Sequence, residues 1–246
     1  MTIRLLAVIA ALAMALPAQA GSLDANEQRM VEWIDAHTED AIALLEETVN
    51  ISSGTMNHDG VRKVGAVMQR ELDAIGLETE WIELPPEMQR AGHVFARKTS
   101  GTSKKFVLIG HLDTVFEADD DFQAFQRDGD TATGPGVEDM KGGNVVIVYA
   151  LKALQEIGAL DDIPVVVAYT GEEEKSGIPL SISRKDLVEA GKWADIGLGF
   201  ESAMTFDGHD WGTIARRSSS EWMLTVEGKQ AHSSGIFSDD VGAGAI

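Results

Sequence analysis

The sequence predicts an α/β domain whose mainly parallel sheet is flanked by helices, followed by the start of an α+β unit. Three observations carry this. Residues 106–109 and 163–169 are continuous apolar runs, the pattern of strands buried on both faces. Helix-length amphipathic segments lie between and around them, so the order is strand, helix, strand, helix, strand. From about Ile214 the texture changes, and residues 221–227 roughly alternate as a half-exposed strand does.

At the start of the chain, residues 1–20 read as a signal peptide. Arg4 is its positive start, residues 5–16 form an apolar segment too short to span a bilayer, and Ala18-Gln19-Ala20 is the cleavage site. The mature chain is expected to begin at Gly21, without a membrane span, and to be exported to the periplasm or beyond. Residues 23–49 read as one helix on the spacing of Met30, Trp33, Ile34, Ile42 and Leu45. Residues 59–75 form a second, with Val61, Val64, Val67, Met68 and Leu72 on one stripe and Gly76 as its left-handed stop. Residues 78–84 are a strand that ends at Pro85-Pro86, and 93–97 are a short one.

Residues 106–109 are the first core strand. Residues 143–157 form a helix ended by Gly158. Residues 163–169 are the second core strand, with Pro164 early enough for its missing N–H to be tolerated. Residues 183–190 belong to a helix with Ser183 as N-cap, and 195–200 are a third, weaker strand. Asp119-Asp120-Asp121 reads as a solvated loop, since it lacks the Gly and distal Glu of an EF-hand calcium loop. Asp128-Gly129 is a hairpin-turn dipeptide. The expected organisation is one α/β domain over 21–213 and the beginning of a second domain over 214–246.

Composition narrows the chemistry. The chain has 246 residues, enough for one or two domains with a substantial core. Asp and Glu number 40 against 20 Lys and Arg, which argues against a nucleic-acid partner. Cysteine is absent, so any metal site must use His, Asp and Glu.

The chemistry collects after the core strands. Gly110-His111-Leu112-Asp113 comes after the first, Gly171-Glu172-Glu173-Glu174 after the second, and Glu201 after the third. Ligands of open parallel sheets bind beyond the carboxyl ends of the strands, so these residues should converge on one edge. Asp139 lies in a Gly-rich loop, residues 133–143, that can face the same edge. So many carboxylates cannot all ionise together unaided. Protonation, pairing with Lys or Arg, or metal would each relieve them. One His with several carboxylates suits Zn, Mn or Co, and two ions would hold this much charge. Each motif alone is common by chance; their joint placement after three strands is not.

The motifs Gly-His-Leu-Asp-Thr-Val (110–115), Gly-Pro-Gly-Val-Glu-Asp-Met-Lys-Gly-Gly (134–143), Thr-Gly-Glu-Glu-Glu (170–174), Gly-Phe-Glu-Ser (199–202) and Gly-Lys-Gln-Ala-His-Ser-Ser-Gly (228–235) resemble one family. It is that of the co-catalytic zinc exopeptidases and amidohydrolases, which includes glutamate carboxypeptidase, aminoacylase and succinyl-diaminopimelate desuccinylase. The resemblance implies that His111 binds one metal and that Asp113 orients it. It implies that Asp139 bridges two ions. Glu172 takes the place of the family's Asp, Glu173 is the general base and Glu174 a ligand, although the Glu triplet leaves that register open by one residue. Glu201 would be the terminal ligand of the other ion, and its being Glu looks more like the carboxypeptidase and deacylase branches. His232 matches a lid-domain His that holds the substrate carbonyl or its oxyanion, often across a dimer interface. His37, His58, His93 and His209 match nothing and read as surface or packing residues.

The resemblance therefore implies a hydrolase with two divalent ions, zinc first, with cobalt or manganese as alternatives. Its substrates would be small peptides or N-acyl amino acids, and it would form a homodimer through the lid domain. The family's last ligand, a His beyond the lid, has no counterpart before Ile246, so the chain is expected to be truncated in that domain. Two other readings stand beside this one: an aminopeptidase of the related zinc clan, and an acidic exported binding protein or inactive remnant.

Overall fold

The computed structural model describes residues 23–202, 204–215 and 223–225. The chain divides into two units, Met1–Ser202 and Ala203–Ile246. The expected signal peptide, His232 and most of the segment 221–227 lie outside the described residues.

The first unit is built on five strands, β1 (Glu78–Ile82), β2 (His93–Lys98), β3 (Phe106–His111), β6 (Val165–Thr170) and β7 (Ile196–Gly199). They form one sheet in the order β1-β2-β6-β3-β7. The pairings β3/β6 and β3/β7 are parallel, whereas β1/β2 and β2/β6 are antiparallel. The sheet is thus mixed: its parallel part is the one that the two apolar runs foretell, and β2 adds an antiparallel half. Two short strands, β4 (Gln126–Asp128) and β5 (Thr131–Thr133), pair as the hairpin expected at Asp128-Gly129.

Strand alternation explains the layers. Val94 and Ala96, Leu108, and Val165, Val167 and Tyr169 face one core, against α2 (Thr38–Val49), α3 (His58–Ala74) and α4 (Gly142–Glu156). Phe95, Val107, Val166 and Ala168 face the other, against α6 (Lys185–Trp193). Every residue of β6 is buried, as befits the middle strand. Burial of each of its three valines contributes roughly 1.5–3 kcal/mol, and with Ala168 and Tyr169 both faces of β6 anchor the sheet.

Two expectations are corrected. The helix expected over 23–49 is broken into α1 (Ala25–Ala36) and α2 at His37. There Nδ1 of His37 lies 2.7 Å from Trp33 O, and Thr38 Oγ1 donates to Ile34 O at 3.0 Å. These side chains compete for carbonyls that a continuous helix would use. Ser183 is not an N-cap: it closes the short helix α5 (Leu180–Ser183), and its hydroxyl donates to Gly177 O at 3.0 Å. Engaged in this way, it cannot cap α6.

The second unit contains a hairpin of β8 (Met204–Phe206) and β9 (His209–Trp211). Asp207 and Gly208 form its turn with φ of 53° and 71°, the left-handed pair that suits two-residue hairpins. Among the described residues no helix is long and apolar enough to cross a membrane.

Candidate metal centre

Register places the site. In the parallel pair β3/β6, His111 lies opposite Thr170, so both strands end at the same level. In β3/β7, Ile109 lies opposite Gly199, and Glu201 comes two residues later. The segments after the three strands therefore leave the sheet side by side.

His111 is buried, and both ring nitrogens face acceptors. Nδ1 lies 3.0 Å from the backbone oxygen of Asp113, and Nε2 lies 2.9 Å from Asp139 Oδ1. Burial opposes a charge on the ring, but the hydrogen bond and charge of Asp113, with the charge of Glu173, outweigh it and raise the pKa to about 9. Without metal the ring is an imidazolium donating from both nitrogens.

Asp113 holds His111 through its main-chain oxygen at 3.0 Å and through its carboxylate, whose Oδ1 lies 3.5 Å from Nδ1. The fully buried carboxylate has further partners. Thr55 Oγ1 donates to Oδ2 at 2.6 Å, Glu173 N to Oδ1 at 3.0 Å and Glu174 N to Oδ2 at 3.2 Å. The carboxylate thus fixes the backbone of the two glutamates with charge-assisted bonds.

Asp139 is positioned by an irregular turn, Val137–Lys141, that feeds directly into α4. Gly136 enters it at φ 77°, where a Cβ would also meet Thr114 Cγ2. Gly143 lets α4 start against the end of β7, since a Cβ there would collide with Phe200 O. Asn144 Nδ2 then donates to His111 O at 2.6 Å and ties α4 to β3. Asp139 itself stays half exposed, with its side chain at 50%. Lys141 turns the other way and is buried; its Nζ donates to Thr48 O at 2.9 Å and Ile51 O at 3.0 Å.

The Glu triplet splits three ways. Glu172 points inward, is fully buried, pairs with Arg184 and accepts the N–H of Gly177. Burial raises its pKa, although Gly177 and Arg184 pull the other way. Glu173 lines a cleft of about 210 Å³ together with His111, Met140, Thr170, Phe200 and Glu201. Glu174 offers a carboxylate oxygen to the third side of a cluster. Ligand atoms of His111, Asp139 and Glu174 all lie within 4.8 Å of one another. Burial raises the pKa of Glu174, and the neighbouring charge of Asp139 adds to it, to about 7. The charge of His111 offsets this only in part, and a divalent ion would relieve the remaining repulsion.

The structure thus brings together His111, Asp113, Asp139, Glu173 and Glu174, and leaves Glu201 exposed on the rim of the same cleft. Sequence reasoning missed Thr55, Lys141, Asn144 and Arg184. A Thr far upstream, or a Lys beside two glycines, carries no signal of burial.

Comparison with known proteins places this geometry among relatives. Residues 107–224 match the family described as Peptidase family M20/M25/M40. The chain is 32% identical over 198 residues to carboxypeptidase G2 of Pseudomonas sp. (strain RS-16), covering 78% of this chain and 45% of that protein. It is 29% identical over 201 residues to succinyl-diaminopimelate desuccinylase of Gluconobacter oxydans (strain 621H), covering 78% and 50%. The chain thus spans about half the length of the curated relatives it matches. Human carnosine dipeptidase 1 shares the fold with a TM-score of 0.58 at 21% identity, over 70% of this chain and 40% of that one. The M20 family metallo-carboxypeptidase Sso-CP2 of Sulfolobus solfataricus does so with 0.52 at 19%, over 65% and 37%.

Proposed function

Residues 107–224 match Peptidase family M20/M25/M40, and on that premise we propose that the chain carries the catalytic residues of a two-metal hydrolase of peptide or amide bonds. The convergence of His111, Asp139 and Glu174 beside Glu173 carries this reading. The donor set fits a divalent ion: one imidazole and two carboxylates from three separate segments, without thiolate, and a Glu174 whose charge is suppressed by its neighbours. Zinc is the first choice of metal, with cobalt and manganese next.

In this reading His111, Asp139, Glu174 and Glu201 would hold the ions. Bound divalent ions would supply Lewis acidity and ease the ionisation of water. Glu173, on the cleft wall, takes the proton of the attacking water and passes it to the leaving amine. Asp113 keeps Glu173 and Glu174 at their heights through the two N–H bonds, and keeps His111 turned toward Asp139. Small peptides or N-acyl amino acids are the proposed substrates, in the carboxypeptidase or deacylase manner. His232 would meet the substrate carbonyl, homodimerisation through the lid domain belongs to the same proposal, and the residues around Ala18-Gln19-Ala20 support export.

The test is metal analysis of the purified chain by mass spectrometry, followed by a hydrolysis panel of N-acyl amino acids and dipeptides. Bound zinc with hydrolysis of one class supports the proposal. Bound metal without hydrolysis of any amide would favour the binding-protein reading instead, and a substrate set confined to free amino termini would favour the aminopeptidase.

A further inference from the structure

His93 stands behind the glutamate loop and touches both of its ends. It opens β2, is 1% exposed and lies opposite Thr170 in the ladder. The backbone N–H of Gly171 donates to its Nδ1 at 3.2 Å. Nδ1 is therefore an acceptor, and the proton of a neutral ring must sit on Nε2. Nε2 lies 2.8 Å from Ser183 O, a carbonyl that can only accept. Burial lowers the pKa of the ring, and the nearby Arg184 cation adds to this, so the neutral form is favoured. One tautomer satisfies both partners.

The chain of bonds continues. Ser183 Oγ donates to Gly177 O at 3.0 Å, and Gly177 N–H donates to the Glu172 carboxylate. Glu172 in turn pairs with Arg184. Residues 171, 172, 177 and 183 are thus tied together at the rear of the loop. At its front, Glu173 and Glu174 hang by their N–H groups from Asp113. A loop held at both faces has its height set by both, and His93 is the side chain that spans the rear.

We propose that His93 is a positioning residue: its Nε2–H tautomer fixes the separation of Gly171 and Ser183 and thereby the placement of Glu173 and Glu174. Its effect on metal rests on the function proposed above; its geometry does not. The residue reaches the site only through the loop and touches no ligand.

The test uses the full 246-residue chain. Nitrogen-15 spectra of labelled histidines read the tautomer of His93 at neutral pH, and calorimetric zinc titrations compare His93→Asn, His93→Gln and His93→Phe. Asn places an oxygen near the site of Nδ1 and keeps an acceptor for Gly171; Phe keeps neither bond. The expected result is an Nε2–H ring in the unaltered protein, zinc affinity about 10-fold or more weaker in His93→Phe, and partial recovery in His93→Asn. An Nδ1–H or charged ring overturns the proposal, as do Phe and Asn variants that bind zinc equally well. Should the unaltered chain take no zinc, the metal reading fails by itself. The tautomer and the exchange protection of the Gly171 amide, retained in the Asn variant and lost in the Phe variant, then decide the role of His93. Should the Phe variant not fold, the tautomer and the contrast of Asn with Gln decide it.

Discussion

The buried carboxylate of Asp113 accepts the backbone N–H of Glu173 at 3.0 Å. Its other oxygen takes the N–H of Glu174 and the hydroxyl of Thr55, and its own backbone oxygen meets His111 Nδ1. One residue therefore links the end of β3 to the loop after β6. The parallel pairing of the two strands brings these segments level, and the carboxylate joins them.

Asp113→Asn is expected to lose on both counts. Three donors point at the carboxylate, and an amide offers one oxygen and one NH2 group, so a donor would face a donor. Loss of charge-assisted bonds in a buried setting costs about 1.5–3 kcal/mol, to be read from urea unfolding. Zinc affinity should fall about 10- to 100-fold. Unchanged zinc binding in a folded variant would detach Asp113 from the site.

Much of the site is legible in the sequence, for reasons that differ by residue. The continuous apolar runs ending at Ile109 and Tyr169 reveal strands covered on both faces, and the segment just past a parallel strand must lie at its carboxyl edge. This places His111, Asp113 and the Glu triplet. The partners of those residues are not legible. Thr55 bonds to Asp113 across 58 positions, and Arg184 reaches Glu172 from the junction of α5 and α6. His93 sits in a segment that reads only as a short strand; its pairing with β1 on one side and β6 on the other makes it interior. The break at His37 depends on side chains that capture carbonyls one turn back, in a stretch without Gly or Pro to announce it. Tertiary pairing, which no local pattern encodes, decides the placement of Thr55, Arg184 and His93.

Metal binding should release protons. His111 without metal has its pKa raised to about 9, so its charged form stabilises the fold below about pH 6.5, and that contribution is lost as pH rises through 9. Its Nε2 must be free of the proton to bind metal. Glu174, with its pKa raised to about 7, is about half protonated at pH 7. Zinc binding at pH 7 should then expel about one proton from His111 and about half of one from Glu174. Titrations in buffers of different ionisation enthalpy count them. Apparent affinity should rise from pH 6 to 9, and release near zero at pH 7 would contradict the ligand assignment.

Glu173→Gln separates binding from chemistry. Glu173 lines the cleft but does not belong to the group of His111, Asp139 and Glu174. The variant should therefore bind zinc like the unaltered chain while turnover of any substrate found falls about 100-fold or more. Normal turnover would shift the base to a neighbouring carboxylate, the register that the triplet leaves open.

Lys141→Met tests the far side of the Asp139 turn. The Nζ of Lys141 is buried and donates to Thr48 O and Ile51 O, at and just beyond the end of α2, so it straps the turn to that helix. Met fills a similar volume but leaves Ile51 O without that donor, a loss of about 1–3 kcal/mol. Burial also lowers the pKa of Lys141 to about 7. With the folded value depressed, the unfolded chain takes up a proton that the folded chain refuses as pH falls from about 10.5. Stability of the unaltered protein should decline over that range, by up to about 1.4 kcal/mol per pH unit. The variant lacks this decline. His111 contributes an opposite slope up to pH 9, but both proteins share it, so the difference between them isolates Lys141. In chelator, Lys141→Met should be least stable relative to the unaltered chain near pH 10, and the gap should close or reverse by pH 8. A gap independent of pH would mean that Lys141 keeps an ordinary ammonium, and the strap would then rest on a charge that the interior tolerates.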